Sequence, residues 1–371
     1  MNELKFLCNR QAFANAVSNV SKGVSPKSTI PELEKLKLSL NHENLELTGY
    51  DLEFGIQSNI DVESNDVGEI AIDHHLLSGA LNKCSGDLVE MEVNENFIVQ
   101  IRCNDVNLQI SAMSAAEYPS LPELDNLQEG MHLEQPVLNS MIRQTKYAVA
   151  VSELKPIFTG ELFEAANNQL RIVGIDGFRM AIRQEPINFE DDIHFVVPKQ
   201  TLEKLTGMLR DDAEELVTIS ANHRYVMFEF GKYIVFSRLL EGEFHKYRNS
   251  IPDTYVTEIK IDVRNLQQCL ERCSLLISGK FNAPVRCTFG DDALSVWCKT
   301  GIGEIHDKIP AEVHGPEVTI GFDVRYFLDA VRNADCDQIR IQLTSNNRVT
   351  KMLPAEGESF IFLLMPVQLR K

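Results

Sequence analysis

The sequence predicts an α+β protein made of three similar domains in tandem, each with two helices and many short antiparallel strands. Three observations carry this. A chain of 371 residues exceeds one ordinary domain, at about 100–200 residues each. A strand-then-helix pattern recurs three times, roughly 125 residues apart. The runs between are rich in β-branched and aromatic residues and are separated by polar turns.

The recurring pattern lies at 69–81, 194–205 and 318–331, where Ile72, Val197 and Phe322 hold equivalent places. Asp73, Pro198 and Asp323 follow them and suit a helix start, Asp as a cap and Pro in the first turn. Each repeat also opens with a helix, over 9–20, 136–147 and 262–276. In the third, Leu266, Leu270 and Cys273 form an apolar stripe. After the second helix of each repeat come two strands around a turn: Asn94-Glu95-Asn96, Asn222-His223-Arg224 and Ser345-Asn346-Asn347. Two repeats close alike, at 117–122 and 243–252. Boundaries fall in Pro-rich or polar stretches, giving domains 1–125, 126–253 and 254–371. A period this long signals duplicated domains, not a solenoid.

Hydrophobic residues make up 44% and charged residues 24%, enough for a sizeable core. No apolar run approaches a membrane span. The opening MNELKFLCNR lacks the pattern of an export signal, so the expected compartment is the cytoplasm. The eight cysteines contain no CxxC pair and read as reduced, mostly buried thiols. The net charge of −18 argues against nucleic acid if spread evenly. It is not spread evenly. The predicted helical segments are net positive, with Arg10, Lys22, Arg143, Lys146, Lys199, Lys204 and Arg210 among them, while strands and loops hold the acidic excess. Such residues describe an ordinary solvated helix face. They equally describe one surface built for a polyanion that the rest of the exterior repels, gripping phosphates without reading bases.

Four local stretches sharpen the choice. They are Ser28-Thr29-Ile30-Pro31 followed by Leu47–Glu53; the run 174–181, GIDGFRMA; the run 195–199, FVVPK; and the run 363–369, LLMPVQL. In order and at this spacing they resemble the bacterial DNA polymerase III beta subunit family, the replicative sliding clamps, whose matching motifs read TDGHRLA, VPRK and VMPMRL in the last three. The resemblance runs from Phe6 to Leu369.

The resemblance implies domains with helices facing a central channel and sheets outside, and two chains closing into a ring around duplex DNA. It implies a ring that tethers the replicative polymerase, is opened by an ATP-driven clamp loader, and is neither an enzyme nor a holder of any cofactor or metal. A partner-peptide pocket would comprise Phe158, Ile175, Gly177, Phe178, Arg179, Met180, His245, Asn249, Ser250, Leu363, Leu364, Met365, Pro366 and Val367. DNA contacts would come from Arg10, Lys27, Lys146, Lys199, Lys204 and Arg210. The homodimer interface would join Leu108 and Ile110 of one copy to Leu275, Leu276 and Phe281 of the other. The family often has Thr at Ile175, His at Phe178, Pro at His245 and Arg at Asn249, so one pocket wall loses polarity here and the other gains it. The chain also continues past Leu369 with Arg370 and Lys371.

From periodicity alone, Leu363, Leu364 and Met365 also fit a last core strand, and Leu275 and Leu276 fit core positions. Two rival functions remain. One is a clamp-like scaffold that no longer encircles DNA. The other is a metal-dependent phosphoesterase, suggested by Asp73-His74-His75; it lacks the further converging ligands a metal pair needs. No GxSxG, P-loop or HExxH motif is present.

Overall fold

The computed structural model describes residues 4–104, 106–122, 130–152, 154–211, 214–277 and 284–369. One order of elements recurs three times. The first copy runs β1 (Leu4–Asn9), α1 (Arg10–Val20), β2 (Leu36–Asn41), β3 (Asn44–Tyr50), β4 (Phe54–Asp61), β5 (Val67–Ile72), α2 (His74–Lys83), β6 (Leu88–Val93), β7 (Ile98–Cys103) and β8 (Val106–Ser114). The second runs β9 (Met131–Glu134), α3 (Gln135–Lys146), β10 (Gly160–Ala166), β11 (Gln169–Ile175), β12 (Arg179–Pro186), β13 (Ile193–Pro198), α4 (Lys199–Thr206), β14 (Leu216–Ala221), β15 (Tyr225–Phe230) and β16 (Tyr233–Arg238). The third runs β17 (Thr257–Asp262), α5 (Val263–Ser274), β18 (Val285–Gly290), β19 (Ala293–Thr300), β20 (Gly303–Pro310), an added short β21 (Glu312–His314), β22 (Val318–Phe322), α6 (Val324–Arg332), β23 (Gln338–Leu343), β24 (Thr350–Pro354) and β25 (Phe360–Leu364).

Local chemistry explains the starts of most helices. Asn9 accepts from the Ala12 amide at 2.9 Å, Asp73 from Leu76 at 3.0 Å, Asp262 from Asn265 at 2.7 Å and Asp323 from Arg325 at 2.9 Å. Each satisfies an amide that the first helical turn leaves without a partner, worth about 1 kcal/mol. Pro198 departs from expectation. It ends β13, paired with Gly160, and α4 begins one residue later, where the missing proline amide costs the strand little at its end. The predicted turns are present. Asn94 accepts from the amides of Asn96 and Ile98, and Asn222 from those of Arg224 and Tyr225. In the first, however, it is Phe97 that takes the left-handed backbone, with φ 58°.

Each copy makes two ladders from these strands. In the first copy they are β1-β6-β7-β8 and β5-β2-β3-β4; in the second, β9-β14-β15-β16 and β13-β10-β11-β12; in the third, β17-β23-β24-β25 and β22-β18-β19-β20. Copies are then joined strand to strand. β16 lies antiparallel on β4, Tyr233–Ser237 opposite Phe54–Ser58. β25 lies likewise on β12, Phe360–Leu364 opposite Arg179–Arg183. The central copy's two ladders therefore belong to different sheets. By compactness the chain divides into one unit of 1–136 with 203–239 and another of 137–202 with 240–371, a division that cuts through the middle sequence repeat.

Helix α1 packs on α2, and α5 on α6. Leu266, Cys269, Leu270 and Cys273 of α5 are fully buried against Val324, Phe327, Leu328 and Val331 of α6, so the predicted stripe faces the core. All eight cysteines are free thiols, seven of them buried, and burial pushes Cys8 up to about 12. No helix among the described residues is long and apolar enough to cross a membrane.

Candidate functional site

Strand β25 alternates between two cores. Phe360, Phe362 and Leu364 point into the third copy's core, while Ile361 and Leu363 point the other way, towards Leu162, Val173, Ile175, Met180 and Ile182. On that second side the surface opens into a cavity of about 290 Å³, lined by Lys155, Phe158, Ile175, Gly177, Phe178, Arg179, Met180, His245, Ser250, Val349, Leu363 and Met365. Ten of the fourteen residues named from the sequence gather there. Leu364 does not, because strand alternation turns it to the opposite face, where it is 1% exposed. Pro366 and Val367 leave the cavity with the chain: the Val367 amide donates to the Gly321 carbonyl at 2.8 Å, and both residues line a separate depression with Thr319 and Asn346. Asn249 is not among the lining residues either. Lys155 and Val349 were missed. Lys155 had a legible signal, three residues before Phe158, over whose ring its ammonium sits at 5.4 Å.

One wall hangs on Asp176. Its carboxylate accepts from the Phe178 amide at 2.9 Å and from the Arg179 amide at 3.0 Å, and it pairs with Arg179 Nε at 2.9 Å. Gly177, with φ +91° and open space where a Cβ would be, completes this turn, a conformation costly for other residues. Arg179 also pairs with Asp329 on α6 at 2.6 Å, and its guanidinium lies over Tyr147 at 5.3 Å and Tyr326 at 4.5 Å. It is thus a structural tie first, although it borders the cavity. Phe178 stacks on Tyr326, centroids 5.9 Å apart at 26°, yet stays 59% exposed. The Met365 amide donates to the Phe178 carbonyl at 2.9 Å, holding the end of β25 to this rim.

The opposite wall, the short 3-10 turn Tyr247–Ser250 with His245 before it, is pinned by Glu164. Arg248 donates to both carboxylate oxygens, at 2.8 and 2.5 Å, and the Tyr247 hydroxyl at 2.5 Å. Burial alone would raise the Glu164 carboxyl, but these hydrogen bonds outweigh it and hold it below the ordinary range. Its stabilising contribution is therefore complete above the unfolded value, about 4.3, and is lost as pH falls through the lower folded value. Glu164→Gln is expected to cost about 2 kcal/mol near neutrality and to flatten the acid limb of stability in urea melts. An unchanged acid limb would contradict the assignment.

The helix cations divide. Arg10 is committed internally, donating to the Gly86 carbonyl at 2.6 Å and the Leu81 carbonyl at 3.0 Å. Lys204 sits 4.2 Å over the Phe54 ring and 3.9 Å from Asp51, and burial lowers its pKa. Lys27, Lys146 and Lys199 make no ion pair among the described residues, and Lys27 is exposed in its loop. Arg210 is exposed. Several other helix arginines are paired: Arg143 with Asp335, Arg272 with Asp307, Arg325 with Asp323 and Arg332 with Glu271.

Of the interface candidates, Leu275 is 78% exposed at the end of α5 and Leu108 is 38% exposed on β8. Leu276 is half-buried. Ile110 is already buried at 6% and so has little surface left to offer. Phe281 lies outside the described residues. Among the described residues, 106–111 of β8 pair only with β7, and β20 pairs only with β19. Asp73 is spent on capping α2 and on Lys35 at 3.2 Å. Among the described residues no cluster of histidine, cysteine or carboxylate side chains is placed to hold a metal ion.

Comparison with known proteins agrees with this architecture along the chain. Family models described as the N-terminal, central and C-terminal domains of the DNA polymerase III beta subunit match residues 4–122, 132–246 and 248–368. The beta sliding clamp of Halalkalibacterium halodurans is 29% identical, covering 98% of this chain and 100% of that one; the Bacillus subtilis beta sliding clamp is 28% identical over the same shares. A crystal structure of the DNA polymerase sliding clamp from Bacillus subtilis superposes with a TM-score of 0.94 at 27% identity, covering 100% of both chains. With its threefold repeat of one clamp domain and these matches over each copy, the chain belongs to the bacterial DNA polymerase III beta subunit family, the DNA sliding clamps.

Proposed function

We propose that two copies close head to tail into a ring around duplex DNA, which slides without reading sequence and tethers the replicative polymerase and other partners by short apolar peptide motifs. The observation that carries this reading is the rule joining the copies. The last strand of copy two pairs with the fourth strand of copy one, and the last strand of copy three with the fourth strand of copy two. The rule leaves one last strand, β8, and one fourth strand, β20, for a second chain. Such a heterologous contact must close or grow into a filament. Leu108 on β8, and Leu275 and Leu276 after α5, supply apolar surface for that junction. The role is topological: the chain acts in the cytoplasm as a tether, makes and breaks no bond, and relies on an ATP-driven loader for opening.

The cavity beside β25 suits a peptide with apolar anchors, being concave and largely apolar with a few polar groups at its edge. The reading is tested by loading the protein onto a nicked circular plasmid with its loader and ATP. Retention through gel filtration should disappear when the circle is cut. A scaffold that does not encircle DNA would give the same retention before and after cutting.

The distribution of cations sets a second expectation. Three of the candidate cations, Lys27, Lys146 and Lys199, have no ion pair among the described residues; they give about six phosphate contacts per ring, hence a log affinity against log salt slope of roughly −5. If all six candidate cations acted in each copy, the slope would be about −11. Binding of a short duplex measured across salt concentrations should give the shallower value, and the steeper one would mean that Arg210 also contacts phosphate and that Arg10 and Lys204 leave their internal partners.

A further inference from the structure

The outer face of β18, β19 and β20 holds a cation cluster that neither the peptide cavity nor the helix cations use. Register places Arg286 opposite Trp297 and Trp297 opposite His306, with Ser295 opposite Lys308 one row along. Arg286, Thr288, Ser295, Val296, Trp297, His306, Asp307 and Lys308 line a cavity of about 280 Å³. In a chain with 54 acidic residues, neither Arg286 nor Lys308 has a carboxylate partner among the described residues. The Arg286 Nε is buried and finds no acceptor. With no hydrogen-bond partner among the described residues, the guanidinium's terminal N–H groups are left for an acceptor in the cavity.

The neighbouring acids are already engaged. Glu304 accepts from the Trp297 indole at 2.7 Å, lies 3.0 Å from His306 Nε2 and pairs with Lys299 at 3.0 Å; these partners hold its carboxyl down at about 2. Asp307 is turned to Arg272, whose Nε donates to it at 2.8 Å. What remains is a guanidinium and an ammonium facing a small cavity with the Thr288 and Ser295 hydroxyls. We propose that this is an anion site that docks carboxylate side chains of an acidic segment from a partner protein. A guanidinium fork matches a carboxylate in two parallel hydrogen bonds.

The observations favour a peptide over a nucleic acid. Arg286 covers the Trp297 ring at 5.3 Å and His306 lies 6.1 Å away at 40°, so the indole has no clear face on which a base stacks. The cavity holds one or two side chains.

Trp297 is the chain's one tryptophan, so its emission reads the site directly. The full chain is titrated with a hexaglutamate peptide, an uncharged hexapeptide and a hexathymidine oligonucleotide at about 0.1 M salt, where charges beyond ~10 Å are screened. Expected is a saturable change with hexaglutamate alone, weakened about tenfold or more in R286Q/K308Q and unchanged in F178A. K308Q alone, an exposed change that leaves the fold intact, should weaken it about threefold. No response, an equal response in the double variant, or tighter binding of the oligonucleotide each overturns the proposal.

Discussion

Leu275→Asp is expected to convert the assembled protein into monomers at micromolar concentration, raising the dimer dissociation constant about a hundredfold or more. Leu275 is 78% exposed in the single chain, so docking would bury nearly a whole leucine, worth about 1.5–3 kcal/mol. A two-chain ring closed head to tail contains the same junction twice, and the loss is counted at both. That gives about 3–6 kcal/mol, or two to four decades, before the cost of burying a carboxylate. Sedimentation velocity reads the outcome directly. Val151→Asp, at a site 91% exposed and outside β8, α5 and β20, serves as control. A dimer of unchanged affinity in Leu275→Asp would remove the proposed junction.

The second large effect is expected in the peptide cavity. Phe178 and Met365 are 59% and 48% exposed, so trimming them disturbs the core little, while a bound anchor side chain would lie against both. Truncating an interface hot spot costs about 2 kcal/mol, so each alanine variant should weaken a fluorescent peptide bearing two apolar anchors by roughly thirtyfold. The two residues are neighbours through the Met365–Phe178 backbone hydrogen bond, so the double variant should lose less than the product. Thermal stability should move little. An affinity unchanged in both variants would place the peptide elsewhere.

The repeat was legible because it is written in local chemistry: carboxylates at Asp73, Asp262 and Asp323, asparagines at the turns, and alternating strands such as Tyr225–Phe230. Pro198 misled because proline suits both the last residue of a strand and the first turn of a helix. The pocket was legible as a set of segments, less so residue by residue. Leu364 was placed with Leu363 and Met365, yet a strand sends neighbours to opposite faces. Charge was the least legible property. Counting the cations on the helices cannot reveal that Arg10 ties down the Leu81 carbonyl of α2 and the Gly86 carbonyl beyond it, or that Lys204 lies on Phe54, since those partners are distant in sequence. Nor does any local pattern announce that β16 crosses to β4.

That crossing has a consequence for how the molecule comes apart. Half of the middle repeat shares hydrogen-bonded ladders with the first and half with the third. Heat or denaturant should therefore melt the chain in two cooperative blocks, not three, each taking part of the middle repeat with it. A gene fragment cut at the repeat boundaries would produce a middle piece with two bare, sticky flanks, so triplication here built something that can no longer be subdivided along its own seams.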